Sequence, residues 1–272
     1  MFTYEGKTAL ITGASSGIGE SFARALAARR MNVILVARSE DRLQALANDL
    51  SLQHGIRAEV VTADFKNKDA SLKVCEAVHQ RDLQVHLLVN NAGIGTYGPF
   101  ETVSPAADQE VIMVNIMAIV NLTHAFVPAM LEHGEGGVIN VASIAAFQPG
   151  CPYLAVYAAT KAFLLSFSGA LWGQYRHSGL RVLALCPGPV STRFDAGIAS
   201  TEILPDWPRH SPEQVVETGL RAFGKARNYV IGGWRNYFMA LFSQIFPRSL
   251  VLGSAEKMLR PPSAGPPSTS HK

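Results

Sequence analysis

Short apolar runs alternate with amphipathic stretches along most of this chain of 272 residues. A run of about four to eight apolar residues between turn signals is typical of a strand that is buried on both faces of a sheet. Seven such runs predict strands over residues 7–11, 32–37, 58–63, 85–89, 137–142, 180–185 and 229–231. The stretches between them have helical periodicity, because apolar residues recur three and four positions apart, as at Leu43, Leu46, Ala47 and Leu50.

The alternation of strand and helix predicts an α/β fold in which short links join repeated βα units. Such units build a doubly wound parallel sheet of seven strands within a single domain. In sheets of this kind, ligands bind beyond the carboxyl ends of the strands. Gly13, Asn90, Ser143 and Pro187 all fall at such strand ends, so we expect one functional site at that edge of the sheet.

An apolar C-terminal extension follows the last predicted strand. Residues 237–246 and 250–259 are separated by Pro247, and each segment is shorter than the roughly 20 residues that span a bilayer. We predict a main domain over residues 1–235, a helical extension over residues 236–260 and a disordered tail, rich in Pro, Ser and Gly, over residues 261–272. The extension is expected to dock over the site or to contact another subunit. Contact with a membrane surface is the alternative and is not favoured.

Composition argues against several classes of function. The net charge is +3 with both signs interspersed, so nothing indicates nucleic-acid binding. The eight histidines and three cysteines lack the paired spacing of metal ligands, so no metal site is expected. The cysteine pattern suits a reducing compartment, and the N-terminal residues do not have the pattern of a signal peptide. These observations predict a cytoplasmic protein.

A glycine-rich turn links the first strand to the first helix and reads Thr-Gly-Ala-Ser-Ser-Gly-Ile-Gly over residues 12–19. Free N–H groups and the helix dipole make such a turn an anion site, and glycine lets the backbone approach a pyrophosphate. The sequence context of strand, turn and helix makes this signal much stronger than glycine spacing alone. The residues expected to contact the dinucleotide here are Gly13, Ser15, Ser16, Gly17, Ile18 and Gly19.

The end of the second strand predicts which dinucleotide binds. A carboxylate at this position would hold the ribose 2′-hydroxyl of NAD. This chain has Ala37 followed by Arg38 instead. A guanidinium can pair bidentately with a 2′-phosphate, which a carboxylate would repel. The sequence therefore predicts NADP(H) as the cofactor.

Tyr157 and Lys161 form a Y-x-x-x-K pair in a helical stretch. Residues four apart lie on one face of a helix. An unperturbed tyrosine has a pKa of about 10, and a nearby ammonium group favours the phenolate and lowers that pKa. The pair therefore predicts a tyrosine that serves as an acid or base near neutral pH.

The whole set of motifs resembles the short-chain dehydrogenase/reductase superfamily, which has a Rossmann-type fold. The match runs from Lys7 to about Gly233, and several motifs occur in the family's order. The interval from Ser143 to Tyr157 is one residue longer than is common in the family. The resemblance is carried by the turn at 12–19, Asp64, Asn90-Asn91-Ala92-Gly93, Asn115, Ser143, Tyr157, Lys161 and the segment Pro-Gly-Pro-Val-Ser-Thr at 187–192.

The resemblance implies roles for the four catalytic candidates. Tyr157 would donate the proton to a carbonyl oxygen in reduction, or accept it in alcohol oxidation. Lys161 would also hydrogen-bond the nicotinamide ribose. Ser143 would hold the substrate oxygen. Asn115 would link a proton relay through water to Lys161.

The resemblance also implies further cofactor contacts. Asp64 would meet the adenine edge, and Asn90 would lie near the adenosine ribose. A third group would lie against the nicotinamide amide or bond near it: Pro187, Gly188, Val190 and Thr192.

We expect an enzyme that reduces the carbonyl group of an apolar 3-oxoacyl, steroid-like or xenobiotic substrate. By resemblance, residues 194–209 are the family's substrate lid, and they are rich in apolar side chains. An NAD-dependent alcohol or hydroxysteroid dehydrogenase is the first alternative, and Ala37 disfavours it. A catalytically silent NADP(H)-binding regulator is the second, and the presence of Tyr157 and Lys161 disfavours it. By resemblance, the helix that carries Tyr157 pairs with its symmetry mate in a homodimer or homotetramer.

Overall fold

The computed structural model of the chain describes residues 2–191 and 207–261. Its strands form one parallel sheet of seven strands in the order β3-β2-β1-β4-β5-β6-β7. The strands are β1 (Thr8–Thr12), β2 (Asn32–Ala37), β3 (Ala58–Thr62), β4 (Leu87–Asn90), β5 (Gly136–Val141), β6 (Leu180–Cys186) and β7 (Tyr229–Ile231). The prediction of a doubly wound α/β fold is confirmed, and each predicted strand is present with its ends moved by two residues at most.

Helices cover both faces of the sheet. They are α1 (Gly17–Ala27), α2 (Glu40–His54), α3 (Ala70–Gln80), α4 (Pro105–Ile112), α5 (Ala118–Glu132), α6 (Ala155–Tyr175), α7 (Pro212–Gly224), α8 (Trp234–Ile245) and α9 (Arg248–Leu259). Because successive residues of a strand point to opposite faces, Ile11 packs with α1, α2 and α7, whereas Leu10 packs with α3 and α5. The core therefore consists of two apolar layers with the sheet between them.

The helical stretch from Pro105 to Glu132 is not uniform. A π-helical turn over Met113–Met117 separates α4 from α5. By length and composition alone, this stretch could cross a membrane. In the structure it is a core helix, because Ala118, Leu122 and Met130 pack in the apolar layer beneath the sheet. Its apolar character is thus explained by burial within the domain.

The helix α6 carries Tyr157 and Lys161, as the sequence predicted. Phe167 and Trp172 on this helix are half-buried against the chain's own core, and the Trp172 indole donates to the carbonyl of Ala226 over 2.9 Å. Phe163 stays exposed at the surface and stacks on Phe167. Pairing of α6 with a second copy stays a prediction.

The C-terminal helices α8 and α9 form the predicted extension. The helix α9 is fastened beside the site, because the Tyr97 hydroxyl donates to the carbonyl of Leu259 over 2.8 Å and the Tyr153 hydroxyl donates to Glu256 over 2.9 Å. The helix α8 packs on the domain through a narrow face that includes Ser243. The extension therefore docks over the site through one helix and leaves the other largely at the surface.

Candidate active site

A cleft of about 780 Å³ opens at the carboxyl ends of the strands. It spans β1 and β4, where the strand order reverses and where a doubly wound sheet binds its ligand. Of the predicted site residues, the structure brings the following to this one cleft: Gly13, Ser15, Ser16, Gly17, Ile18, Arg38, Asp64, Ser143, Tyr157, Lys161, Pro187, Gly188 and Val190. Residues far apart in the sequence thus meet because parallel strands end at one edge.

The glycine-rich turn forms a cradle that only glycine permits. Gly13 has a φ of 67°, and a Cβ there would stand 2.8 Å from the Asn91 amide nitrogen and 3.0 Å from the Cα of Ala92. Ser16 precedes α1 in an extended conformation and makes no side-chain cap to the helix. The first N–H groups of α1 therefore remain available to an anion. These features fit the pyrophosphate of a dinucleotide.

Two predicted contact residues have structural roles instead of lining the cleft. Gly19 is buried inside α1, and a Cβ there would stand 2.2 Å from the carbonyl oxygen of Gly13, so this glycine permits close packing of the turn. Asn90 is buried in the core, where its amide donates to Asn140 over 2.8 Å. Within the described residues its Oδ1 has no hydrogen-bond partner. The neighbouring Asn91 lines the cleft in its place.

Three basic side chains line the end of the cleft near β2. They are Arg38, which the sequence predicted to contact the cofactor, Arg42 and Lys66. Lys66 pairs with Glu110 over 2.6 Å, whereas neither Arg38 nor Arg42 forms an ion pair within residues 2–191 and 207–261. Arg42 was missed in the sequence, although it lies four residues after Arg38 and thus one helical turn into α2. Asp64 lines the same end and accepts from the N–H of Lys66.

Ser143 lies where β5 ends and a short 3₁₀ turn over Ile144–Phe147 begins. Its backbone is extended, and its Oγ accepts the N–H of Ala145 over 3.2 Å. Because the oxygen acts as acceptor in this cap, the hydroxyl hydrogen remains to donate into the cleft. Ser143 is therefore placed to hold an oxygen atom of a substrate.

Lys161 lies one helical turn after Tyr157 on α6 and is almost fully buried. Its Nζ donates to the carbonyl of Val141 over 2.9 Å and lies 5.7 Å from the centre of the Tyr157 ring. Burial lowers the pKa of Lys161 to about 8. Burial likewise raises the pKa of Cys186 to about 12, so this thiol is neutral beside the ammonium group.

Asn115 occupies the π-helical turn and is fully buried. Its Oδ1 accepts the N–H of Ile94 over 3.0 Å, and its Nδ2 donates to the carbonyl of Ile94 and to Thr160. The side chain therefore ties the loop after β4 to α6, which makes Asn115 a positioning residue. Gly93 lies between Asn115 and Lys161, since a Cβ there would stand 3.4 Å from a polar atom of each. The relay through water stays a prediction.

The segment after β6 lines the nicotinamide end of the cleft through Pro187, Gly188 and Val190. Gly188 is required here because a Cβ would stand 2.3 Å from the side chain of Asn236 on α8. Thr192 and residues 194–206 of the predicted lid lie outside the described residues. Among residues 207–209, the part of the predicted lid that the structure describes, Trp207 lines the cleft.

The substrate end of the cleft has an apolar wall. The C-terminal extension, which the sequence predicted to dock over the site or to contact another subunit, contributes to this wall through α9. Burial raises the pKa of Cys151 to about 11, which keeps that thiol neutral within the wall. The wall residues are Cys151, Leu154, Trp207, Met239, Ala255, Met258 and Leu259. The part of the cleft near Ser143 and Lys161 is thus polar, and the end beside α9 is apolar.

Comparison with known proteins agrees with this geometry. The family model described as short chain dehydrogenase matches residues 7–203. The very-long-chain 3-oxoacyl-CoA reductase of Anas platyrhynchos is 32% identical over 251 residues, which cover 91% of this chain and 78% of the relative. The inactive hydroxysteroid dehydrogenase-like protein 1 of Homo sapiens is 31% identical over 258 residues, which cover 94% of this chain and 77% of the relative.

Solved structures with the same architecture include a 7beta-hydroxysteroid dehydrogenase, with a TM-score of 0.83 and 25% identity over 94% of this chain and 99% of that one. A short-chain dehydrogenase from Sphingobium yanoikuyae in complex with NADPH has a TM-score of 0.78 and 29% identity, and it covers 98% of this chain and 99% of that one. Together with the family match, these likenesses identify the protein as a member of the short-chain dehydrogenase/reductase family.

Proposed function

We propose that this protein uses NADPH to reduce the carbonyl group of an apolar substrate, and that it oxidises the corresponding alcohol in reverse. The observation that carries the proposal is that Ser143, Tyr157 and Lys161 line the same cleft as the glycine-rich turn. Binding of a nicotinamide dinucleotide follows from membership of the family and agrees with a structural neighbour that holds NADPH. When bound, the cofactor supplies or accepts the hydride.

The side chains of the site hold the substrate oxygen and move its proton. Ser143 donates a hydrogen bond to this oxygen and orients it toward Tyr157. The Tyr157 phenol gives its proton to the oxygen in reduction and takes it back in oxidation. The buried ammonium of Lys161 favours the negative charge that the phenol then carries, because a cation acts strongly where water is excluded.

The preference for NADPH is supported by the charges at the end of β2. Arg38 and Arg42 line the cleft without ion-pair partners in the described part of the chain, so their charges are available to a 2′-phosphate. Ala37 lies where a carboxylate would select NAD. These contacts argue against the alternative of an NAD-dependent dehydrogenase.

The apolar wall supports a bulky, apolar carbonyl substrate. Leu154 from the start of α6 and Met258 and Leu259 from α9 face the cleft without a charged group among them. The names of several relatives point the same way, since they act on very-long-chain 3-oxoacyl-CoA, hydroxysteroids or bulky ketones. Among the three substrate types that the sequence suggested, the long acyl and steroid-like classes suit this wall best.

Replacement of Tyr157 by Phe tests the mechanism. The ring stays and the transferable proton is lost, so we expect turnover to fall by about 10²–10⁴-fold while NADPH affinity largely survives. Oxidation of NADPH by absorbance on a panel of bulky ketones gives turnover, and fluorescence titration gives affinity. Tyr237→Phe is the matched control, because this tyrosine is exposed on α8 and does not line the cleft. Near-normal turnover of Tyr157→Phe would refute the mechanism.

A catalytically silent NADP(H)-binding protein is the second candidate. It is favoured by the likeness to relatives whose name calls them inactive hydroxysteroid dehydrogenase-like proteins. The same panel separates the two candidates. A wild-type protein that binds NADPH and turns over no carbonyl compound would support the silent function and contradict the enzymatic one.

A further inference from the structure

An ordinary surface helix turns its apolar side chains toward the core and its polar side chains toward solvent. The helix α8 does the reverse. The residues that face the domain are small or polar, namely Asn236, Ala240 and Ser243. Asn236 accepts from the Trp207 indole over 3.0 Å, and Ser243 donates to the carbonyl of Phe147 over 2.8 Å. The contact with the domain is thus hydrogen-bonded, and apart from Met239, which lines the cleft, it leaves the large apolar side chains of α8 outside.

Those side chains form one continuous outward surface, which we call the α8 face. Its members are all exposed, and Trp234, Phe238 and Ile245 retain 68%, 59% and 68% of their accessible surface. They recur at helical spacing along the whole element. The α8 face consists of Trp234, Tyr237, Phe238, Leu241, Phe242, Ile245 and Phe246. A contiguous aromatic surface of this kind marks an interaction site.

The stretch of sequence that carries the α8 face has charged residues of one sign only. No carboxylate occurs between Glu217 and Glu256, whereas five basic residues do. Two of these flank the face directly and are exposed: Arg235 lies over the Trp234 ring at 5.3 Å, and Arg248 begins α9. The face therefore combines aromatic groups, which favour the boundary between lipid and water, with cations that attract anionic headgroups.

We propose that the α8 face docks on an anionic phospholipid surface. A second copy of the chain fits less well, because a two-fold contact would bring Arg235 and Arg248 toward their own copies without a carboxylate on α8 to pair with them. A bilayer accepts the whole face at once, since its headgroups neutralise the arginines while its acyl region takes up the aromatic rings.

The docked face adjoins the apolar end of the cleft. A shallow groove of about 580 Å³ lies along α8, and Trp207 and Met239 line both this groove and the cleft. Docking would therefore place the entrance to the apolar wall next to the acyl region of the bilayer. The docking itself requires neither cofactor nor turnover, so it stands or falls independently of the proposed reaction.

Sedimentation of the full chain with vesicles tests the proposal. We expect the wild type to bind vesicles of phosphatidylcholine mixed with phosphatidylglycerol more tightly than vesicles of phosphatidylcholine alone. The double variant Phe238→Asp/Ile245→Asp should lose at least about tenfold in partitioning, because charged groups enter the acyl boundary poorly. Arg235→Gln/Arg248→Gln should lose about fivefold per arginine on the mixed vesicles only.

The matched control is Leu52→Asp/Leu72→Asp, which makes the same change at two leucines that are 88% and 59% exposed on α2 and α3. It should bind as the wild type does. A wild type that stays in the supernatant with both kinds of vesicle would overturn the proposal, and so would equal losses in the two Asp variants. Light scattering in which only Phe238→Asp/Ile245→Asp dissociates a dimer, without vesicle binding by the wild type, would assign the face to a second copy instead.

Discussion

The sheet with its covering helices and the C-terminal helix α8 use similar side chains in opposite ways. In the sheet domain, large apolar residues such as Phe22 and Phe223 are completely enclosed between the helices and the strands. On α8, Phe238 and Phe242 point away from the chain, while Asn236 and Ser243 are buried. The same aromatic residue therefore stabilises the fold in one region and contributes surface in the other.

This difference shows that apolar composition alone does not indicate burial. A core phenylalanine contributes to the free energy of folding by leaving water and by filling space among close-packed neighbours. An exposed one contributes almost nothing until a partner covers it. Mutations of core phenylalanines should therefore lower the stability of the fold, whereas mutations of those on α8 should affect binding to a partner.

The largest predicted difference between the two regions is the loss of stability when one phenylalanine of each is replaced by Ala. Phe223→Ala removes a ring that packs against Phe2 and β5, and we expect it to lower the free energy of unfolding by about 3–5 kcal/mol. Phe238→Ala should change it by no more than about 0.5 kcal/mol. Denaturant unfolding of both variants is the measurement. A loss at Phe238 as large as that at Phe223 would show that α8 is covered and would break the comparison.

Among the described residues of the sheet domain, Lys161 is a charged side chain that is buried like the core phenylalanines. Its titration gives the second largest predicted effect, a change of stability with pH. Burial lowers its pKa from 10.5 to about 8 in the folded protein. Between these values the unfolded chain binds the proton that the folded chain has released, so stability rises with pH. Relative to Lys161→Met, the cofactor-free wild type should gain about 3 kcal/mol between pH 8 and 10.5. Equal slopes for the two proteins would mean that Lys161 stays hydrated.

The smallest predicted effect is on cofactor affinity, and it distinguishes Arg38 in the cleft from the arginines beside the α8 face. Arg38→Ala should weaken NADPH by about 10- to 150-fold, equivalent to 1.5–3 kcal/mol, and leave NADH unchanged, because only NADPH carries the 2′-phosphate. Ala37→Asp/Arg38→Ala should reverse the preference. Arg235→Gln/Arg248→Gln is the control that alters arginines outside the cleft and should change neither affinity. Equal binding of the two cofactors by the wild type would show that Arg38 faces solvent.

The fold was predictable because strand and helix periodicities are local properties of the sequence. The meeting of the candidate residues Ser143 and Lys161 in one cleft was predictable, because they lie at strand and helix positions that the topology brings together. Asn90 shows the limit of this reasoning. It is the last residue of β4 and its side chain bonds within the core, whereas Asn91, the first residue after the strand, lines the cleft, and the sequence pattern does not resolve this difference of one position.

Other parts of the site depend on packing that no local pattern contains. The wall formed by α9 requires the contacts of Tyr97 and Tyr153 across more than 100 residues of sequence. The outward orientation of α8 was hidden for a similar reason, because an apolar helix has the same composition whether its aromatic residues face in or out. Only the hydrogen bonds of Asn236 and Ser243 reveal its orientation.

A single hydroxyl group at the end of β1 preorganises the two halves of the cleft. Thr12 Oγ1 accepts the N–H groups of both Asn91 and Ala92, over 3.0 and 2.9 Å, and the Asn91 amide donates back to the carbonyl of Thr12. The glycine-rich turn and the loop after β4, which adjoins Lys161 at Gly93, are thereby tied to each other. Because the loop is already ordered when the protein folds, a ligand that spans both halves of the cleft binds without the entropic cost of ordering it.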